Sequence, residues 1–267
     1  MQAEAELALT LTVLGNAALR GQDIAGAWPA APGFGFLRHC RFAIPKRRWL
    51  FGPGLQVIAR DPDAWFDLLR RDRTRLFLDC AAADGDDADN DRNLVAFVGG
   101  GPRWRIGAVG AQGVDVWQGG LQLLRGPTLR PAAWGATFVR VDQAAELAIP
   151  HGRPLPVIAH DLDAALGAIA AFAREIEAGA FVACFEAARQ ALDPKSSLNP
   201  GRELSAWVDF SPEQARLYDA IHLAWVFGGM GSWNDLWFPD EQQERYVSLS
   251  RTLFALIREA IGAIANG

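Results

Sequence analysis

The chain predicts an α+β fold: an N-terminal, mostly antiparallel sheet region followed by a C-terminal helical region. Two observations carry this. Apolar residues recur with period two along the first part of the chain and with spacings of three and four along the last hundred residues. Strands and helices that segregate in this way argue against an alternating parallel α/β fold. The expected organisation is a β-rich region with one short helix over residues 1–159, and a helical region over 160–267 packed on it as one structural unit.

The first period-two run is Leu7, Leu9, Leu11 and Val13, with Thr10 and Thr12 between them. Further runs are Cys40, Phe42, Ile44; Leu55, Val57, Ala59; Leu76, Leu78; Leu94, Ala96, Val98; Trp104, Ile106, Ala108; and Thr137, Val139, Val141. Each reads as a half-buried strand. Gly99-Gly100-Gly101-Pro102 lies between two of them and predicts a hairpin turn. Asp61-Pro62 supplies an N-cap and a proline at the first helical position, with Trp65, Phe66 and Leu69 as the inner face of the one short helix.

The helical part begins with Leu162, Leu166, Ile169, Phe172 and Ile176, a stripe ending near Gly179, with Asp161 as its N-cap. Phe181, Phe185 and Leu192 mark a second helix up to Asp193-Pro194. Ser211-Pro-Glu-Gln214 is a capping box that starts a third, stopped by Gly228-Gly229. Asp240 with Gln243 reads as another box, opening a long closing helix with Tyr246, Leu253, Phe254, Ile257, Ile261 and Ile264 inside.

Composition narrows the function classes. The chain has 267 residues, half of them hydrophobic, and a net charge of −5, which disfavours nucleic-acid binding. The arginine and alanine bias is most simply that of a GC-rich coding sequence. No uninterrupted apolar run reaches the ~20 residues of a membrane span, and the N-terminal residues lack the pattern of a secretory signal. Cys40, Cys80 and Cys184 are dispersed, without disulfide-framework or zinc spacing. The cytoplasm is the expected compartment.

The chemistry-bearing motifs mostly resolve into bland readings. The acidic run Asp84-Gly-Asp-Asp-Ala-Asp-Asn-Asp91 places Val95 or Val98 where a calcium loop needs its bidentate glutamate, so a solvated loop is expected. The triple glycine leads towards a strand, whereas a phosphate loop leads into a helix. Lys46-Arg47-Arg48 with Trp49 and Phe51 mixes cations and aromatics as single-strand binders do, against the overall negative charge. His39, His151, His160 and His222 form no metal motif, and Gly229-Met-Gly-Ser232 is no nucleophile elbow. No cofactor and no metal is expected.

The stretch Trp225–Phe238 concentrates glycines, aromatics and the polar pair Asn234-Asp235 between two capping signals. Two readings meet here: a tight helix connector with tryptophans in the core, or a recognition surface. Trp233, Asn234 and Asp235 are accordingly the candidate binding residues. The expectation is a tryptophan-rich, non-enzymatic cytoplasmic protein that binds another protein, possibly basic, in the manner of an immunity or inhibitor protein. The alternative is a hydrolase with a dispersed site built from acids and histidines such as Asp79, His160 and Asp161.

Overall fold

The computed structural model describes residues 1–48, 52–81, 88–124, 133–141, 150, 152–196 and 204–267. The chain runs α1 (Ala3–Leu19), a helical turn α2 (Ala27–Ala30), β1 (Leu37–Arg48), β2 (Gly52–Ala59), α3 (Pro62–Leu69), β3 (Arg73–Ala81) and α4 (Ala88–Leu94). It continues through β4 (Arg103–Gly110), β5 (Gly113–Leu124), β6 (Ala133–Val141), α5 (Leu155–Glu175), α6 (Gly179–Leu192), α7 (Pro212–Ala224) and α8 (Asp240–Asn266). This is an α+β fold: a six-stranded mixed sheet in the N-terminal half and helices α5–α8 in the C-terminal half.

The strand order is β2-β1-β6-β5-β4-β3. Every neighbouring pair is antiparallel except β1 with β6, where Cys40 stands against Ala136 and Phe42 against Phe138. The helix-covered face carries an aromatic seam. Phe42 stacks on Trp65 of α3 at 4.1 Å, Trp117 meets both edge-on, and Phe138 stacks on Phe42 at 5.4 Å. Gly119 makes room for that seam, since a Cβ there would lie 2.3 Å from the Phe138 ring.

The first expected strand is a helix. Residues 7–13 belong to α1, which is buried along almost its whole circumference. It packs on β3, β4 and β5 on one side and on α8 and α3 on others. A helix buried all round shows no one-sided stripe, so the alternation of leucine and threonine carries no strand information, and the alanine- and leucine-rich composition favours helix. Gly15 allows the closest approach: a Cβ there would stand 2.3 Å from Leu76 Cδ1 and 3.1 Å from Phe66 Cε1.

Other expectations are corrected near the acidic run. Residues 82–87 lie outside the described residues, but Ala88–Leu94 is helix α4, and Asp91 and Arg92 are buried. Leu94, Ala96 and Val98 form no strand, so Gly99–Pro102 is a turn from α4 into β4. The hairpin falls one strand later, between β4 and β5, a strand the period reading missed. The region before residue 160 thus holds α1, α2, α4 and the start of α5 as well as α3.

Among the helix starts, Asp61 caps α3 through Ala64 N at 2.8 Å, and Ser211 and Gln214 form the box on α7. Asp161 is no cap: α5 begins at Leu155, and Asp161 pairs with Arg153. Gln243 accepts from Phe238 N, while Asp240 sits at φ 47° and caps nothing. α7 ends at Ala224, four residues before the glycines. β1 extends through Lys46 to Arg48, whereas Trp49, Phe51 and His151 lie outside the described residues. α5 is long and apolar enough to cross a membrane, but its Leu162, Leu166, Ile169 and Phe172 are buried in the core.

The β3 edge of the sheet is sealed by side chains. Asn16 of α1 accepts from Leu76 N at 2.7 Å and donates to Leu76 O at 3.0 Å. Asn266 of α8 repeats this at Leu78, again at 2.7 and 3.0 Å. Each amide supplies the donor and acceptor of a missing strand. Asn16→Ala strands both backbone groups of Leu76, so urea unfolding should show a loss of about 1–3 kcal/mol.

Candidate functional site

The connector between α7 and α8 is held in one conformation by its own polar groups. Ser232 Oγ donates to Gly228 O at 3.0 Å and accepts from Asn234 N. Asp235 closes the turn by accepting from Gly231 N at 2.5 Å and Ser232 N at 3.2 Å. Gly231 is at φ 84°, the left-handed region that glycine enters without strain.

Trp233 goes inward. Its ring is 0% exposed and meets Phe181 at 5.1 Å and Phe185 at 5.3 Å edge-on. Its Nε1 donates to Ser250 Oγ at 2.8 Å, and its carbonyl accepts from Tyr246 Oη at 2.6 Å. Burial pushes the Tyr246 hydroxyl pKa up, against the opposing pull of Arg92, which keeps it a donor. Asn234 turns to α4: Nδ2 donates to Arg92 O at 3.0 Å and Oδ1 accepts from Arg92 Nη1 at 2.8 Å. The buried Arg92 guanidinium also lies over the Tyr246 ring at 5.7 Å. Of the three residues singled out from sequence, Trp233 is therefore core, Asn234 a staple and Asp235 an exposed turn closure.

What the connector turns outward lies on either side of them. Met230 is fully exposed and Trp237 is 76% exposed. Beyond α4, whose Arg92 Asn234 grips, Phe97 is 65% exposed and Val98 half exposed. The turn is fixed in its own right, with Gly99 N donating to Glu4 Oε1 at 3.0 Å. Trp237 belongs to a stretch the sequence marked. Phe97 and Val98 were hidden inside a false strand pattern.

A second polar centre escaped sequence reasoning. Glu6 of α1 is buried, accepts from Tyr218 Oη at 2.8 Å and faces His222 Nε2 at 2.5 Å. The other ring nitrogen, Nδ1, faces Tyr218 O at 2.8 Å. A carbonyl only accepts, so Nδ1 donates to Tyr218 O, and one proton lies in the contact between Nε2 and the Glu6 carboxyl group. No sequence spacing announces a pair 216 residues apart.

The residues of the hydrolase reading are engaged singly. Asp79 pairs with Arg105, and Asp161 with Arg153. His160 lines an open groove of about 1160 Å³ between α5, α6 and α7, shared with Asp163, Glu186, Arg189, Glu213 and Arg216. Among the described residues, no hydrogen bond or ion pair joins Asp79, His160 and Asp161, and no three His, Cys, Asp or Glu side chains converge as metal ligands. Burial pushes the Cys80 thiol up to about 11 and raises Cys40 further, so neither is a ready thiolate. No protein-family model, curated protein or solved structure matches the chain.

Two outcomes follow from this geometry. Trp233→Ala removes a ring packed on all sides, and denaturant melts should show a loss of about 3–5 kcal/mol. For Glu6, burial raises the pKa, but the bond and charge of His222, the Tyr218 hydroxyl and the N-terminal ammonium outweigh it, leaving the value lowered. A carboxylate with a depressed folded pKa stabilises above its unfolded value and loses that stability as pH falls through the folded one. The stability advantage of wild type over Glu6→Gln should therefore be full at neutral pH and shrink below about pH 4.3, the ordinary glutamate value. An advantage that does not change down to pH 3 (roughly one unit lower) would remove the linkage.

Proposed function

We propose that this is a cytoplasmic binding protein of immunity or inhibitor type. Its connector face takes a basic, Lys/Arg-rich surface of another protein. The observation that carries this is the outward placement of Met230 and Trp237 on a connector whose conformation is already fixed by internal bonds. Holding large apolar side chains in water exposes apolar area that a partner can bury, and tryptophan is enriched among residues that dominate binding energy. A fixed loop also loses little conformational entropy on association.

Charge supports the choice of partner. From Leu217 to Glu244 the chain has no lysine or arginine, while Asp235, Asp240, Glu241 and Glu244 are exposed. Acids around apolar anchors attract a basic surface and speed encounter. The three thiols are free, which suits a reducing compartment.

The test uses the immobilised full chain, native-host lysate, and two variants beside wild type. Trp237→Ala and Glu244→Lys should both melt close to wild type, because neither ring nor charge is buried and neither closes the turn. A partner captured by wild type should be lost from Trp237→Ala, at a cost of about 2 kcal/mol or more in affinity, and should bind Glu244→Lys more weakly. Equal capture by all three proteins would refute the assignment of this face.

A further inference from the structure

The two edges of the sheet are treated in opposite ways. At β3 the outward backbone groups of Leu76 and Leu78 are consumed by the Asn16 and Asn266 amides, and α1 and α8 pack against the strand. Arg73 and Arg75 add charge there. At β2, by contrast, no charged residue occurs from Gly52 to Ala59, and Leu55 and Val57 are 55% and 45% exposed on the same face. Among the described residues no strand pairs with its outer side, and an uncharged, unpaired edge strand is a template for another strand.

The hydrogen-bond phase of that edge follows from two prolines. Pro45 stands opposite Leu55, and Pro53 opposite Arg47. A doubly hydrogen-bonded pair needs an N–H on both residues, which proline lacks. Those pairs, and Ala43 with Val57 in the same alternation, are therefore the non-bonded ones. The backbone groups of Leu55 and Val57 then point away from β1, beside their own exposed side chains.

We infer that β2 pairs antiparallel with β2 of a second copy of this chain, about a two-fold axis through Gln56. In that register Leu55 of each copy lies opposite Val57 of the other, and both pairs exchange their two backbone hydrogen bonds. The four apolar side chains meet on one face of a sheet that now runs continuously through both molecules. Arg60 falls opposite Gly52, so no like charges meet across the seam. In this register Pro53 falls opposite Ala59 of the other copy and has no N–H to give, so the seam is confined to the Leu55 and Val57 pairs. That segment is self-complementary, supplying donors, acceptors and apolar partners in matching phase, which favours a second copy over an unrelated strand, as an isologous contact requires. A single-strand seam is a small interface, so association belongs in the micromolar range.

Sedimentation velocity on the full chain should show a concentration-dependent monomer–dimer equilibrium, and amide exchange at Leu55 and Val57 should slow as the dimer forms. Val57→Lys replaces an exposed side chain and should leave the melting curve in place while raising the dimer dissociation constant about tenfold or more. Thr74→Lys, on the sealed β3 edge, should leave dimerisation unchanged. A chain that stays monomeric throughout the micromolar range overturns the inference. So does a dimer that Val57→Lys leaves intact, or one in which the Leu55 and Val57 amides exchange as fast as in the monomer.

Discussion

The placement of α1 is the constraint on which the other contacts depend. This helix is apolar on every side, and hydrophobic burial alone gives such a rod no preferred rotation, because burial energy follows area and not direction. Three of its residues supply the direction. Gly15 lets the backbone descend onto Leu76, Asn16 replaces a strand at the sheet edge, and Glu6 reaches to Tyr218 and His222 of α7. Turning α1 by a fraction of a turn would strand the Leu76 amide on one side and a buried carboxylate on the other. Both penalties are steep compared with the few kcal/mol that separate folded from unfolded chains.

The same economy of polar groups appears at the connector. Asn234, Ser232 and Asp235 close the loop on itself and on Arg92, and Trp233 and Tyr246 hang it from α8. Every one of these bonds points inward or along the chain. None of them requires Met230 or Trp237 to be where they are. Their exposure is therefore not a by-product of satisfying the backbone, which is the physical reason for the proposal that they meet a partner.

How much of this was legible in sequence depended on whether one side chain reports one environment. Asp61-Pro62 and Ser211-Pro212-Glu213-Gln214 read correctly because caps act over three or four residues. β1, β4 and the stripe of α5 were visible because each has one dry and one wetter face, and β3 was visible through Leu76 and Leu78 although Phe77 on its other face is buried too. The α1 helix and the false strand at 94–98 were misread because period two arises by chance when both faces of a segment are buried or when it is a turn. β5 was missed because Gly119 and Gly120 interrupt its pattern, and Gly119 is small for the sake of Phe138 on another strand. The connector was marked by its composition, yet which tryptophan points in was not written there. Trp233 meets Phe181, Phe185 and Ser250, all distant in sequence, whereas Trp237 meets solvent.

The two proposed surfaces do not compete. The connector is tied through Arg92 to α4, which packs on α8, and α8 lies against β3. The β2 edge is at the far side of the six-stranded sheet. Pairing through β2 would therefore leave both connector faces open and present two copies of one acidic, tryptophan-bearing surface on a continuous sheet. A partner that offers two basic surfaces would meet the second site at a high effective concentration, and its apparent affinity would rise without any new contact. A partner with one such surface would gain nothing from the dimer. On the proposed binding role, the value of the open edge would depend on the valency of the partner, which would link the seam at Leu55 and Val57 to the face at Met230 and Trp237 although no side chain joins them.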